Sequence, residues 1–251
     1  MANSVDIASS YGLWAIGGTI ALLALFWLLR GRVRIEQGWG GFNIDRFGRF
    51  ERFVHWLLAV SFVVLALASP SVQYQVADLD YSQTLPGRLL GEEVFAQVVG
   101  IGWFLYNWVS LLFLGSLLLA FLLWVRHSLP HWRDAVWLLK GGGLIVPGVH
   151  PPAHKFNAGQ KLLFWFVIVG GAWLSVFPGP PILTLVLICA VIVHIYLRTV
   201  GIQGAASAMI SGEVDANWAR QHHSLWAEQE IRRIEEDAEP DPGRTDAARV
   251  H

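Results

Sequence analysis

The chain has 251 residues, of which 54% are hydrophobic and only 15% are charged. An ordinary soluble domain carries about 25% charged residues, so the composition argues against a soluble protein and indicates a membrane protein. The formal net charge of −1 gives no reason to expect nucleic-acid binding. The single cysteine, Cys189, excludes an internal disulfide, a cysteine-ligated zinc site and an iron–sulfur cluster.

Five segments are long and apolar enough to cross a bilayer, since a helical crossing needs about 20 residues. In chain order they are residues 11–29, 53–69, 100–125, 162–177 and 182–197. The last two are separated by Pro178-Gly179-Pro180-Pro181, where prolines without an amide donor end a helix. The first segment is interpreted as a retained anchor and not as a signal peptide, because Asp6 precedes it and arginines follow it.

The charged residues between the spans predict the orientation of the chain. Arginines outnumber acidic residues in segment 30–52, whereas segment 71–100 contains Arg88 and several acidic residues. Basic loops stay in the cytoplasm, so the first segment is predicted to be cytoplasmic and the second periplasmic. This places the loop 126–161 and the C-terminus in the cytoplasm, in a multi-pass protein of the bacterial inner membrane.

Three parts follow from these spans. Residues 1–52 form an N-terminal transmembrane helix with a basic cytoplasmic linker, residues 53–210 form a four-helix membrane domain, and residues 211–251 form a polar cytoplasmic tail. The stretch 235–241 is acidic, and prolines stand at positions 240 and 242. The tail is therefore predicted to be a solvated helix with a disordered end.

Only two of the nine histidines, His55 and His194, lie inside spans. His55 follows Arg52 and His194 precedes Arg198, so each lies roughly 5–6 Å inside its basic flank at a rise of 1.5 Å per residue. Ionisable side chains inside a membrane usually mark functional sites. Two imidazoles at one depth can ligate a haem iron from both sides, which favours electron transfer. The alternative is two unrelated histidines that bond backbone carbonyls or reach the interface.

The remaining histidines lie outside the spans and are expected to be solvated or hydrogen-bonded, with a loop or tail zinc site as the alternative. They are His127, His131, His150, His154, His222, His223 and His251. The outer halves of the spans contain no histidine. If a haem needs two histidines, the chain has room for one haem.

The segment that leads into the fourth span has features of a quinone site. Asn157 is a competent helix N-cap, Gly159 allows a ligand to approach the backbone, and Asn157 and Gln160 offer amide donors. These residues have the same predicted depth as His194. A quinone needs an apolar slot and a hydrogen-bond donor near each carbonyl. Helix capping alone is the alternative explanation of Asn157.

Several motifs between residues 32 and 228 resemble the gamma subunit of respiratory formate dehydrogenase, a membrane cytochrome b. They are Glu51-Arg52-Phe53-Val54-His55-Trp56, Trp124-Val125-Arg126-His127-Ser128-Leu129-Pro130, His150-Pro151-Pro152-Ala153-His154-Lys155-Phe156-Asn157-Ala158-Gly159-Gln160-Lys161, His194-Ile195-Tyr196 and Gly212-Glu213-Val214-Asp215-Ala216-Asn217-Trp218. The resemblance implies an all-α, polytopic membrane four-helix cytochrome b bundle, here with an extra N-terminal transmembrane helix.

The resemblance also implies a role without catalytic residues. The chain would anchor an iron–sulfur beta subunit and a molybdenum or tungsten alpha subunit, and would pass electrons through haem b to quinone. In that family His55 and His194 match the ligands of the cytoplasmic-side haem, and Asn157, Gly159, Gln160 and His194 match the quinone pocket.

The chain departs from the family at the second haem, on the outer side. The expected histidine in the third span is replaced by Tyr106, and the region around Pro178–Thr184 lacks a stretch about as long as one helix crossing. The sequence therefore predicts one haem b. A membrane anchor without redox function, or the cytochrome subunit of another oxidoreductase such as a nickel–iron hydrogenase, are the alternatives.

Overall fold

The computed structural model describes residues 2–76, 80–177 and 181–238, and five of its helices are long and apolar enough to cross a membrane. The long helices are α1 (Ala2–Arg30), α2 (Arg49–Val76), α4 (Glu92–Trp124), α6 (Ala158–Val176) and α7 (Pro181–Tyr196). The short ones are α3 (Leu85–Leu90), α5 (Trp132–Leu139), α8 (Ser207–Ile210), α9 (Ala216–His222) and α10 (Ser224–Ala238). The five predicted spans are confirmed. Residues Pro178–Pro180, which the sequence predicts as the break between the last two spans, lie outside the described residues.

The outward faces of the long helices are apolar. On α1, Leu22 and Leu28 are exposed, and on α4 the same holds for Leu111, Leu118 and Leu122. A contiguous apolar surface of this size is not stable in water. The exposed leucines are therefore the lipid-facing side of the helices.

The helices α2, α4, α6 and α7 form a four-helix bundle, and α1 packs against the outside of α7. The longest contact runs between α2 and α4, and α6 lies against both α4 and α7. Small residues let helix backbones approach closely where no water drives their association. An added Cβ at Gly171 would lie 3.0 Å from Leu117 and 3.1 Å from Phe113. The predicted bundle with an additional N-terminal helix is confirmed.

The loops and the tail fold together at the end of the bundle where α2 begins. We call this unit, residues 31–48, 129–157 and 202–227, the polar cap. Two short strands, β1 (Asn43–Asp45) and β2 (Glu213–Asp215), pair antiparallel in it, with Ile44 opposite Val214. Both of these side chains are almost fully buried. The all-α prediction is therefore correct apart from this small sheet.

The start of the tail differs from the predicted solvated helix. Val214 and Trp218 are 1% exposed, and Ala227 is fully buried. The following helix α10 is solvated only on one face, because Trp226 and Ala227 point into the cap core and Arg232 is exposed. A composition-based prediction missed this burial because the apolar partners lie more than 150 residues away in the chain. The end of the tail beyond residue 238 lies outside the described residues.

Candidate functional site

His55 and His194 lie side by side within the bundle. Their ring centroids are 6.4 Å apart, with an angle of 51° between the ring planes. Nδ1 of His55 is buried and has no hydrogen-bond partner among the described residues. The alternative of a histidine bonded to a backbone carbonyl is therefore not what the structure shows at this nitrogen.

The spacing of the two rings fits a shared metal ion. A metal bound about 2.0 Å from one nitrogen of each ring, on the line between the rings, places the ring centroids roughly 6 Å apart. The observed separation is 6.4 Å. Two facing imidazoles are also the donor set that haem iron takes in electron-transfer cytochromes. His55 and His194 consequently fit the axial positions of one haem.

Contacts between α2 and α8 hold His55 in place. The Arg52 guanidinium donates to the carbonyl of Ile210 at 2.6 Å, and the Trp56 indole donates to the carbonyl of Met209 at 3.0 Å. These two side chains flank His55 in the chain. They therefore fix both the rotation and the depth of the first turns of α2.

The helix that carries His194 widens directly after it. Residues Leu197–Gly201 form a π-helical turn, a feature that often occurs at functional sites. The carbonyl of Gly201 accepts a hydrogen bond from Val33 at 2.8 Å. The polar cap thus secures the end of α7, as it secures the start of α2.

A cavity of about 530 Å³ lies beside His194, between α6 and α7 and below the polar cap. This volume is in the usual range for a site that binds a small organic molecule. Apolar side chains form its membrane side, and they are Leu162, Leu163, Phe166, Ala190, Val193 and Leu197. The four residues predicted for a quinone site, Asn157, Gly159, Gln160 and His194, all line it.

Asn157 and Gln160 cap α6 reciprocally. Oδ1 of Asn157 accepts from the backbone of Gln160 at 3.0 Å, and Oε1 of Gln160 accepts from the backbone of Asn157 at 3.1 Å. Capping was the alternative explanation of Asn157, and the structure shows it. The cap engages only the amide oxygens, and neither amide nitrogen has a hydrogen-bond partner among the described residues. Both NH2 groups therefore remain available as donors to a ligand.

Gly159 keeps the cavity open next to Trp137. A Cβ added at this position would lie 3.3 Å from the Trp137 ring, which is closer than ordinary van der Waals contact. Both residues line the cavity. A larger side chain here would displace the indole or enter the cavity.

The polar wall of this cavity was not predicted from the sequence. That wall includes Arg198, His150, Gln221 and His222. Nε2 of His222 is buried without a hydrogen-bond partner among the described residues, so the prediction of a solvated or hydrogen-bonded histidine does not hold at this nitrogen. His150 belongs to one of the family motifs. No local sequence pattern predicts that its loop and α9 come together over α7.

His223 is a structural histidine of the cap. Its Nδ1 lies 2.7 Å from the carbonyl of His154, and its Nε2 lies 2.9 Å from the Arg46 guanidinium. Arg46 is a donor only, so Nε2 accepts and Nδ1–H donates. Burial and the Arg46 charge lower the pKa of His223 well below its usual value, which keeps the ring neutral. The prediction of a hydrogen-bonded histidine is correct here.

A zinc site needs at least three suitable side chains. Across residues 2–76, 80–177 and 181–238, no group of three or more His, Cys, Asp or Glu side chains could hold a metal ion. His131 serves instead as the N-cap of α5, where its Nδ1 accepts from the backbone of Arg133 at 3.2 Å.

Tyr106 lies within α4 and is half-buried. It stands where the resemblance implies a histidine ligand of a second haem. Tyr106 lies far from the depth of the His55–His194 pair. About 18 residues of α4, or roughly 27 Å of helix, separate it from the end of α4 near the polar cap. Of the partner position near Pro178–Thr184, residues 178–180 lie outside the described residues, and the rest forms the start of α7.

Comparisons with known proteins agree with this arrangement. The cytochrome b556(Fdn) subunit of the nitrate-inducible formate dehydrogenase of Escherichia coli K12 is 27% identical over 217 residues, covering 77% of this chain and 94% of that protein. The cytochrome b556(fdo) subunit of the same organism is 23% identical, covering 78% and 98%. The formate dehydrogenase cytochrome b556 subunit of Haemophilus influenzae is 26% identical, covering 74% and 83%.

A family model matches the chain from just before α2 to the end of α6, and α7 with His194 lies beyond the match. Residues 46–177, about half of the chain, match the model described as prokaryotic cytochrome b561. The matched region contains His55 and the segment from Asn157 to Gln160. Cytochromes b are haem b proteins, which agrees with the paired histidines. The chain therefore belongs to the prokaryotic cytochrome b561 family, as a multi-pass bacterial membrane protein.

Proposed function

We propose that the chain is the membrane cytochrome b subunit of a formate dehydrogenase complex and passes electrons between an iron–sulfur subunit and quinone. The observation that carries this proposal is the cavity beside His194, because this member of the histidine pair lines it together with Asn157 and Gln160. The names of the relatives support formate dehydrogenase as the complex.

His55 and His194 would hold the haem through neutral imidazole nitrogens. When bound there, haem b supplies a one-electron redox centre. The residues of this chain position that group and keep water away from it. His194 also lines the cavity. A quinone in the cavity would therefore lie next to the residue that holds the haem.

The quinone ring would occupy the apolar part of the cavity, with a carbonyl oxygen toward α6. The Asn157 and Gln160 amide nitrogens would donate to that oxygen, because their oxygens are committed to the helix cap. The end of the bundle with the polar cap would face the cytoplasm, as the arginines of segment 30–52 indicate. The C-terminus would lie on the same side.

Purification of the chain from its native membrane with its partner subunits tests the proposal. We expect an iron–sulfur beta subunit and a molybdenum or tungsten alpha subunit to co-purify, and we expect formate to reduce a b-type haem and then quinone. A complex without any haem would indicate a membrane anchor without redox function. A nickel–iron large subunit in place of the alpha subunit would indicate a hydrogenase.

We expect one haem b per chain. Measured from the paired histidines, α2 runs roughly 32 Å to Val76, whereas α7 runs roughly 20 Å back to Pro181. The partner helix therefore ends well before α2 does, on the side where Tyr106 replaces the family's histidine. Pyridine haemochrome analysis of the purified complex gives the ratio, and two haems per chain would contradict this expectation.

We expect Gly159→Leu to lower quinone reduction about tenfold or more, because the side chain would enter the cavity beside Trp137. The haem should stay bound, since the atoms nearest an added Cβ belong to Trp137 and Asn157 and not to the paired histidines. Steady-state electron transfer from formate to a quinone analogue measures the effect. Gly100→Leu is the matched control, because a Cβ at Gly100 meets nothing within 4 Å. Equal rates in the two variants would place the quinone elsewhere.

A further inference from the structure

We propose that Glu36, His150 and His222 form a proton relay from solvent to the cavity, and that the relay supplies the protons consumed when a quinone is reduced there. The inference rests on the proposed function, since it needs a quinone in that cavity. It adds three residues of the polar cap that the sequence analysis did not connect with the site. They come from the first loop, the loop before α6, and α9.

The outer end of the relay is Glu36. Its side chain is 51% exposed, and its Oε2 lies 3.0 Å from Nε2 of His150. The backbone amide of Gly148 donates to the other carboxylate oxygen at 3.1 Å, which holds the group in position. An exposed carboxylate in contact with an imidazole can collect a proton from water and transfer it inward.

The inner end is His222. Its ring centroid lies 6.3 Å from that of His150, with an angle of 75° between the ring planes. One bridging water spans a gap of this kind between two ring nitrogens. Both rings line the cavity. Nε2 of His222 is buried and has no hydrogen-bond partner among the described residues, so it is able to donate to a ligand.

The charges around His222 keep it neutral at rest. Burial lowers its pKa to about 3, and His150, Arg198 and Arg46 act in the same direction. A neutral imidazole accepts a proton at one nitrogen and releases another from the second, so it need not hold a charge for long.

The groups around Glu36 favour its charged form, whereas those around His222 favour the neutral form. The contact with His150 lowers the pKa of this carboxyl group, and Arg30 contributes. Glu36 is therefore ionised near neutral pH and attracts protons to the mouth of the relay. The proton path thus begins at an anion in solvent and ends at a neutral donor in the cavity.

His223 also lines the cavity but does not serve this purpose. Both of its ring nitrogens have fixed partners, the Arg46 guanidinium and the carbonyl of His154. It cannot exchange a proton without breaking one of these contacts. His194 is committed as a proposed haem ligand. Of the histidines that line the cavity, His150 and His222 are therefore the ones free to transfer a proton.

The reaction balances with the proposed electron donor. One quinone would take two electrons, which the proposed iron–sulfur subunit supplies, and two protons. Each carbonyl oxygen gains one proton and becomes a hydroxyl group. His222 releases a proton from one nitrogen, its other nitrogen receives the replacement from His150, and the ring turns over before the second transfer so that its N–H again faces the cavity. His150 is reprotonated through Glu36 from solvent.

The test uses the intact complex with Glu36→Gln, His150→Gln and His222→Gln. Each variant is assayed from formate to a quinone analogue and from formate to a redox dye that accepts electrons before the membrane subunit. We expect the quinone rate to fall about tenfold or more in each variant. This loss is smaller than the roughly 10²–10⁴-fold that a positioned proton donor contributes, because water partly replaces the relay. The dye rate and the haem spectrum should be those of the unmodified complex. Glu235→Gln and His127→Gln, which lie away from the cavity, are the controls.

Two further readouts separate proton transfer from a structural defect. The loss in quinone reduction rate should be larger at about pH 8 than at about pH 6, because free protons from solvent replace the relay at the lower pH. Added imidazole should restore the rate of His150→Ala, whose site is partly open to solvent. A rate that stays reduced equally at all pH values and is not rescued would overturn the relay.

The outcomes distinguish the relay from the proposed function. If the unmodified complex does not reduce quinone, the proposed function fails. If it does, and Glu36→Gln and His150→Gln retain its full rate across the pH range, only the relay fails. Because Glu36 is exposed, its variant should fold even if His222→Gln does not.

Discussion

His55→Ala and His194→Ala should each abolish the haem b absorption band of the purified complex. The two rings lie 6.4 Å apart on different helices, so each side chain would supply one of two axial ligands. Loss of either leaves the iron with one protein ligand in an apolar site, and we expect haem content to fall at least about tenfold. Reduced-minus-oxidised spectra and haem extraction measure the loss.

His127→Ala is the control, because this histidine lies in the 3₁₀ turn after α4, away from the pair. His194→Met offers a sharper comparison. A thioether can replace an imidazole as an axial ligand and raises the reduction potential. Retained haem with a raised potential would support direct ligation by His194. A full haem content in both alanine variants would refute the pair as ligands.

Arg46→Met should destabilise the polar cap by about 3 kcal/mol. The guanidinium is 3% exposed and donates to the carbonyl of Lys155 at 2.6 Å and to His223 at 2.9 Å. It also lies about 5 Å from the ring centres of Trp218 and Trp226. Methionine fills much of the volume but leaves both acceptors buried and unpaired, and that cost exceeds the relief from removing the buried charge.

Thermal unfolding followed by cap tryptophan fluorescence measures the effect of Arg46→Met. Arg49→Met is the matched control, because Arg49 is exposed at the start of α2. Since the cap also holds the ends of α2 and α7, haem should be lost at a lower temperature in Arg46→Met. Equal stability of the two variants would show that the cap does not depend on this arginine.

The membrane part of the structure could be predicted from local sequence. A crossing depends on the hydropathy of about 20 consecutive residues, and a helical rise of 1.5 Å per residue sets the depth of a side chain. The five spans, the shared depth of His55 and His194, and the helix cap at Asn157 all follow from short-range patterns. The family motifs then related Asn157, Gly159 and Gln160 to a quinone site, and the structure places them around one cavity.

Only the tertiary structure decided what covers that cavity. The strand pairing of Ile44 with Val214, the contact of Arg46 with His223, and the approach of His150 to His222 join distant parts of the chain. No hydropathy pattern or residue spacing predicts such contacts, because they depend on how polar loops pack against one another. The sequence by itself therefore determined the spans and the paired histidines, and the folding of the polar cap decided which polar side chains reach the cavity.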